Sequence, residues 1–201
     1  MEHIFIEGEK NKPVLILFHG TGGNESSLVG LGKEISSSSS ILGIRGNVKE
    51  NGMNRYFKRL GEGVFDEEDL ILRTHEIYNF LIYASDKYSF DLESSIAIGY
   101  SNGANIIGSL LYIKGKIFSG VSLHHPMVPF RGKKPKDLSG VKVFIGAGRN
   151  DNITPMSEAI NLEKDLINSH AKVTMNWEDN GHQLTISEIK AAKKWFKEEI
   201  L

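Results

Sequence analysis

Ile96-Ala97-Ile98-Gly99-Tyr100-Ser101-Asn102-Gly103-Ala104-Asn105-Ile106-Ile107 is the stretch that decides the fold. An apolar run reads as a buried strand, Gly99-x-Ser101-x-Gly103 as a sharp turn, and the residues after it as the start of a helix. A serine lifted above the end of a strand on so tight a turn needs flanking residues without a Cβ. The following helix points its first N–H groups toward the same spot, which favours negative charge there. This is the arrangement of a nucleophile elbow. Outward from it, short apolar runs alternate with helical patterns along the chain. Strands are expected at Ile4–Ile6, Val14–Phe18, Ile41–Ile44, Gly120–Leu123, Val141–Ile145 and Val173–Trp177. Helices are expected over about 25–35, from Asp66 to about Lys87, over about 155–169, and over 186–201, with residues 45–65 irregular. Leu70, Thr74, Ile77, Leu81 and Ala84 give the long helix a buried face at helical spacing. The alternation predicts an α/β fold with a doubly wound, mostly parallel sheet in one domain spanning 1–201. In such sheets the chemistry gathers at the carboxyl ends of the strands.

That rule selects two further residues. A serine hydroxyl needs a base to take its proton, and the base needs a group to orient it. Asp151 follows the Val141 strand in Gly146-Ala147-Gly148-Arg149-Asn150-Asp151, and His182 follows the Trp177 strand in Asn180-Gly181-His182-Gln183. Asp91 precedes its strand and so lies at the wrong end. Asp179 is too close to His182 to act from another strand. The alternative for Asp151 is a plain turn or helix-capping residue within Asn150-Asp151-Asn152. Among the seven histidines, His19 belongs to a glycine loop. His124 and His125 follow the Val121 strand, where they would line a pocket. The glycine loop, Phe18-His19-Gly20-Thr21-Gly22-Gly23, follows the second strand. Its Thr21 N–H and the Asn102 N–H are expected to form an oxyanion hole. A dinucleotide loop fails on spacing, because position 25 is Glu25 where a third glycine belongs. Met53, Tyr56, Phe57, His125, Met127 and Val128 are expected to flank the substrate.

Composition narrows the class. The 24 basic and 25 acidic residues nearly cancel, so no basic stripe points to nucleic acid. With no cysteine, disulfides, thiolate metal sites and a cysteine nucleophile are excluded. The opening residues lack a signal-peptide pattern and no apolar run would insert in a membrane, so a cytoplasmic location is expected. No metal or organic cofactor is called for. A homodimer is compatible with the size.

These motifs together resemble the α/β-hydrolase superfamily, in particular its small carboxylesterase, lysophospholipase and acyl-protein thioesterase group. His19-Gly20-Thr21-Gly22-Gly23, Gly99-x-Ser101-x-Gly103, Gly148-x-x-Asp151 with Pro155 beyond, and Gly181-His182 carry the likeness across nearly the whole chain. A narrower resemblance is to bacterial hydrolases of the methylhydroquinone-resistance type. It rests on Arg45–Val48, Asn51–Met53, Phe65–Leu70, Gly99–Asn105 and His124-His125-Pro126-Met127-Val128-Pro129. The resemblance implies the α/β-hydrolase fold without a large cap domain, and hydrolysis of a small-molecule acyl ester or thioester through an acyl-serine. Asn102 departs from the glutamine common in the thioesterases, a change that leaves the backbone N–H in place. Two rival functions remain at this stage: carbon–carbon bond hydrolysis of a ring-cleavage product, and a non-catalytic binding role on the same fold.

Overall fold

The computed structural model describes all of residues 1–201. The chain opens with β1 (His3–Ile6), β2 (Leu15–Phe18), α1 (Val29–Ile35) and β3 (Ile41–Ile44). Helix α1 begins four residues later than its pattern predicts. Asn24 draws the chain into a side-chain turn first, its Oδ1 accepting the Ser26 N–H at 2.9 Å. Residues 45–65, expected to be irregular, form two small hairpins instead. One joins β4 (Val48–Glu50) to β5 (Met53–Arg55), the other β6 (Arg59–Gly61) to β7 (Val64–Phe65). The first turns on Asn51-Gly52 with φ of 50° and 80°, the dipeptide that favours a tight two-residue hairpin turn. Strands of two or three residues are too short to show a period of two, which is why their pattern reads as irregular.

Helix α2 (Glu67–Tyr88) follows, capped by the Asp66 side chain, which accepts the Asp69 N–H. Then come β8 (Ile96–Tyr100), α3 (Asn102–Lys114), β9 (Gly120–His124), β10 (Lys142–Gly148), α4 (Met156–Asn168), β11 (Lys172–Glu178) and α5 (Ile186–Trp195). The final helix expected over 186–201 changes at Phe196 into a wider π turn to Ile200.

Seven strands form the central sheet in the order β1-β3-β2-β8-β9-β10-β11. Only β1 runs antiparallel to its neighbour. Alternate residues of the inner strands feed two apolar layers. Ile16, Phe18, Ala97, Val121 and Val143 pack with α2, α3 and α4, while Leu15, Leu17, Ile96, Ile98 and Phe144 pack with α1 and α5. From β2 the chain moves outward to β3, then returns to place β8 on the other side of β2. The carboxyl ends of β2 and β8 therefore border a topological switch point, where open α/β sheets hold their chemistry. Between β9 and β10, residues 125–141 hold neither helix nor strand, so no helical cap is inserted there. No helix is long and apolar enough to cross a membrane.

Candidate active site

Ser101 is the single residue between β8 and α3, held at φ 52°, ψ −114°. A residue with a Cβ reaches that region only under strain, so the neighbourhood must hold it there. The Ser101 N–H donates to the His124 carbonyl at 2.8 Å, and its own carbonyl accepts the Asn105 N–H at 3.0 Å. A Cβ built on Gly99 would lie 2.6 Å from the Gly103 carbonyl carbon, and one on Gly103 would overlap the Phe18 carbonyl oxygen. The two glycines thus let strand, helix and β2 close on one another around the serine.

Ser101 Oγ stands 2.8 Å from His182 Nε2, and His182 Nδ1 stands 2.7 Å from Asp151 Oδ2. The carboxylate accepts only, so His182 carries its proton on Nδ1 and offers Nε2 to the hydroxyl. The other Asp151 oxygen accepts the N–H groups of Ile153 and Thr154 at 2.9 and 2.8 Å. Burial alone would raise the Asp151 pKa. The Thr154 amide, the His182 ring and the Ile153 amide outweigh it and hold the carboxyl below its ordinary value. The Tyr100 hydroxyl donates to the His182 carbonyl at 2.7 Å, tying the histidine loop to the elbow. A hydroxyl, an imidazole and a carboxylate in this line can move the serine proton onto nitrogen while the acid steadies the resulting charge.

Behind Asp151 lies a second buried carboxylate, Glu188 of α5, with no exposed surface. Burial opposes its ionisation, but His124 and His125 hold its pKa down from 4.5 to about 2. A group whose pKa is depressed on folding stabilises the fold above its unfolded value and loses that contribution as pH falls toward its folded value. The protein is therefore expected to lose on the order of 3 kcal/mol between about pH 4.5 and about pH 2 from this group. Thermal melts across that range should show the decline, and Glu188→Gln should start lower at neutral pH and fall less steeply.

The glycine loop after β2 is stitched to the β4–β5 hairpin. The Gly22 N–H donates to the Asn54 carbonyl at 2.9 Å, Asn54 Nδ2 to the Gly23 carbonyl at 2.7 Å, and Arg55 Nη1 to Thr21 Oγ1 at 2.8 Å. Beneath it, Asn102 Oδ1 accepts the Tyr56 N–H at 2.7 Å. The backbone N–H groups of Thr21 and Asn102 spend themselves on no acceptor within the protein.

The expected pocket residues divide. Met53 is partly exposed and its side chain packs on Gly22. Met127 and Val128 are nearly covered. Tyr56 and Phe57 have no exposed surface and sit in the core rather than on an open wall. The Tyr56 hydroxyl donates to the Ile44 carbonyl and accepts the His19 N–H, so it shapes the loop from below. His125 is also buried and faces Asp151 and Glu188, not an open pocket. A hydrophobic or histidine residue near a strand end looks the same in sequence whether it faces a cavity or the core. Glu188, Asn54 and Arg55 were not singled out by sequence. Glu188 lies in an ordinary amphipathic helix with three lysines, Lys190, Lys193 and Lys194, within six positions, and nothing local marks it. His125, Asp151 and His182 are the residues whose donor atoms, all within 4.8 Å of one another, are spaced to hold a metal ion. Both histidine nitrogens involved already share the Asp151 carboxylate.

A family model described as phospholipase/carboxylesterase matches residues 1–200. The chain is 48% identical to MhqD of Bacillus subtilis (strain 168), which carries the name of a hydrolase, over 100% of both chains. The crystal structure of the Bacillus cereus carboxylesterase superposes with a TM-score of 0.97 at 52% identity, covering 99% of this chain and 94% of that one. A structure of YahD with malic acid gives a TM-score of 0.95 at 35% identity, covering 98% of each chain.

Proposed function

Since this chain belongs to the phospholipase/carboxylesterase family, we propose that it is a serine hydrolase cleaving a small or extended acyl ester or thioester. One observation carries the reading: Ser101 on its strained elbow, 2.8 Å from an imidazole that is itself 2.7 Å from a buried carboxylate. Ser101 Oγ attacks the acyl carbonyl carbon while His182 Nε2 takes its proton. Asp151 keeps the Nδ1–H tautomer in place and offsets the imidazolium charge. The oxyanion that forms meets the N–H groups of Thr21 and Asn102, reinforced by the α3 N-terminus. Collapse of this intermediate breaks the bond to the leaving alcohol or thiol, which departs with the His182 proton. Water then attacks the acyl-serine, gives a proton to His182, and the carboxylic acid leaves as Ser101 recovers its hydrogen.

The bonds from Asn54 and Arg55 support the oxyanion role of the glycine loop, because a donor serves catalysis only if it is fixed before charge develops. The carboxylesterase description of the Bacillus cereus protein supports the choice of ester chemistry.

The test is labelling with a fluorophosphonate, mapped by mass spectrometry, beside hydrolysis of p-nitrophenyl acetate through octanoate. A single adduct on Ser101 together with ester turnover is the expected outcome, and the dependence on chain length measures the acyl site. Folded protein that takes no label and turns over no ester would end this reading in favour of a binding role.

A further inference from the structure

A buried line of polar groups continues past the residues used above. His125 follows β9 with a φ of 53°, a second strained residue beside the elbow. Its N–H donates to the Gly146 carbonyl at 2.7 Å. Its Nδ1 stands 3.0 Å from Asp151 Oδ2, the same oxygen that His182 uses, and its Nε2 stands 3.2 Å from Glu188 Oε2. Glu188 Oε1 lies 2.6 Å from His124 Nδ1, and His124 Nε2 lies 3.0 Å from Ser122 Oγ. The site is shaped for this carboxylate: a Cβ on Gly146 would overlap Glu188 Oε1. Thr185, which caps α5 by accepting the Glu188 N–H, fixes the start of the helix that delivers it.

Ionised carboxylate oxygens accept hydrogen bonds and donate none. A ring with one nitrogen on each of two carboxylates must carry a proton on both. We infer that His125 is held as an imidazolium between Asp151 and Glu188, and that it is a positioning residue which fixes Asp151 and offsets its charge beside His182. The inference rests on the proposed reaction of Ser101, His182 and Asp151.

The electrostatics run in one direction. A bare Asp151 carboxylate would strengthen the hold of His182 on its catalytic proton. A cation whose ring centre is 5.1 Å from that of His182 works against this. The groups facing His125 are Asp151 from the β10–α4 connection, Glu188 from α5, His182 from the β11–α5 connection, and the Tyr100 ring of β8 at 6.0 Å. His124 beside it shares Glu188. Burial opposes the charge on His125, yet the hydrogen bonds and charges of Glu188 and then Asp151 prevail and raise its pKa above the ordinary value.

Two measurements test this. In wild-type protein with 15N-labelled histidine, both ring nitrogens of His125 should show the protonated signature from about pH 7 to about pH 8, where a free imidazole has lost its proton. A neutral His125 ring at the middle of that range overturns the inference. In kinetics, His125→Asn keeps a donor toward Asp151 but removes the charge, and Glu188→Gln removes the carboxylate that requires the second proton. The acid limb of kcat/KM for p-nitrophenyl acetate should rise by about one pH unit in His125→Asn and by less in Glu188→Gln. A His125→Asn protein that melts lower or turns over more slowly with the acid limb unmoved would reduce His125 to packing and overturn the inference. If neither variant folds, the ring spectrum of the wild type decides. Absence of ester turnover in the wild type would count against the hydrolase reading alone, because the ring spectrum is recorded without substrate.

Discussion

Replacing Ser101 with alanine is expected to lower kcat by about 10⁴- to 10⁶-fold, because it removes the oxygen that bonds to the acyl carbon in the proposed reaction. The strained backbone makes this an unusually clean comparison. Serine and alanine both carry a Cβ, so the cost of φ 52° is the same in either. The N–H to His124 and the carbonyl to Asn105 are backbone groups and survive the change. Melting temperature should therefore stay close to wild type while turnover disappears, and KM for any residual activity should change little. The residual rate would come from positioning and from the oxyanion donors acting on attacking water. A loss below about tenfold would mean that another nucleophile carries the reaction.

Gly103→Ala should be among the most damaging single methyl groups in the chain. Its Cβ would overlap the Phe18 carbonyl oxygen and lie 2.5 Å from the Phe18 carbonyl carbon and 2.6 Å from the His19 carbonyl oxygen. All three are backbone atoms at the end of β2, so no side-chain rotation relieves the contact. Either α3 withdraws, carrying Ser101 with it, or the glycine loop that follows β2 is pushed away. Overpacking that forces backbone to move costs about 1–3 kcal/mol and sometimes more, and this site belongs at or above the upper end. Activity should fall further than stability, since both routes of relief displace catalytic groups. Gly30→Ala is the matched control. Gly30 lies inside α1 with nothing within 4 Å of the added carbon. There the same methyl should stabilise by about 0.5–1 kcal/mol through helix propensity alone. Denaturant melts of the two variants, read beside ester turnover, check both signs.

Much of the fold is legible in the sequence because its signals are long and redundant. Val14–Phe18 and Ile96–Gly99 are continuous apolar strands, and the elbow between strand and helix admits few other readings. The meeting of Ser101, Asp151 and His182 is legible because each lies just beyond a strand end, so a topological rule brings together residues far apart in the chain. The β4–β5 and β6–β7 hairpins escape because their strands are too short to show a pattern. Asn51-Gly52 was the available clue. Tyr56 and Phe57 were placed beside the substrate because aromatic residues near a glycine loop fit a pocket wall and a core equally well. Their complete burial resolves that in favour of the core. Glu188 is a harder case. An acidic side chain on an exposed-looking amphipathic helix becomes a buried partner of two histidines only after α5 packs across β10 and β11, a tertiary event with no local trace.

The order in which the chain is synthesised gives the arrangement of β11 and α5 a temporal meaning. Every strand through β10 precedes residue 150, yet His182 and Glu188 both lie beyond the edge strand β11. A nascent chain that ends after β10 already carries Ser101 and its glycine loop, but lacks His182, the base of the proposed reaction. On the proposed reaction, reactivity therefore waits until β11 and the segment after it have docked on β10. A product truncated before His182 would then hold the proposed nucleophile without its base.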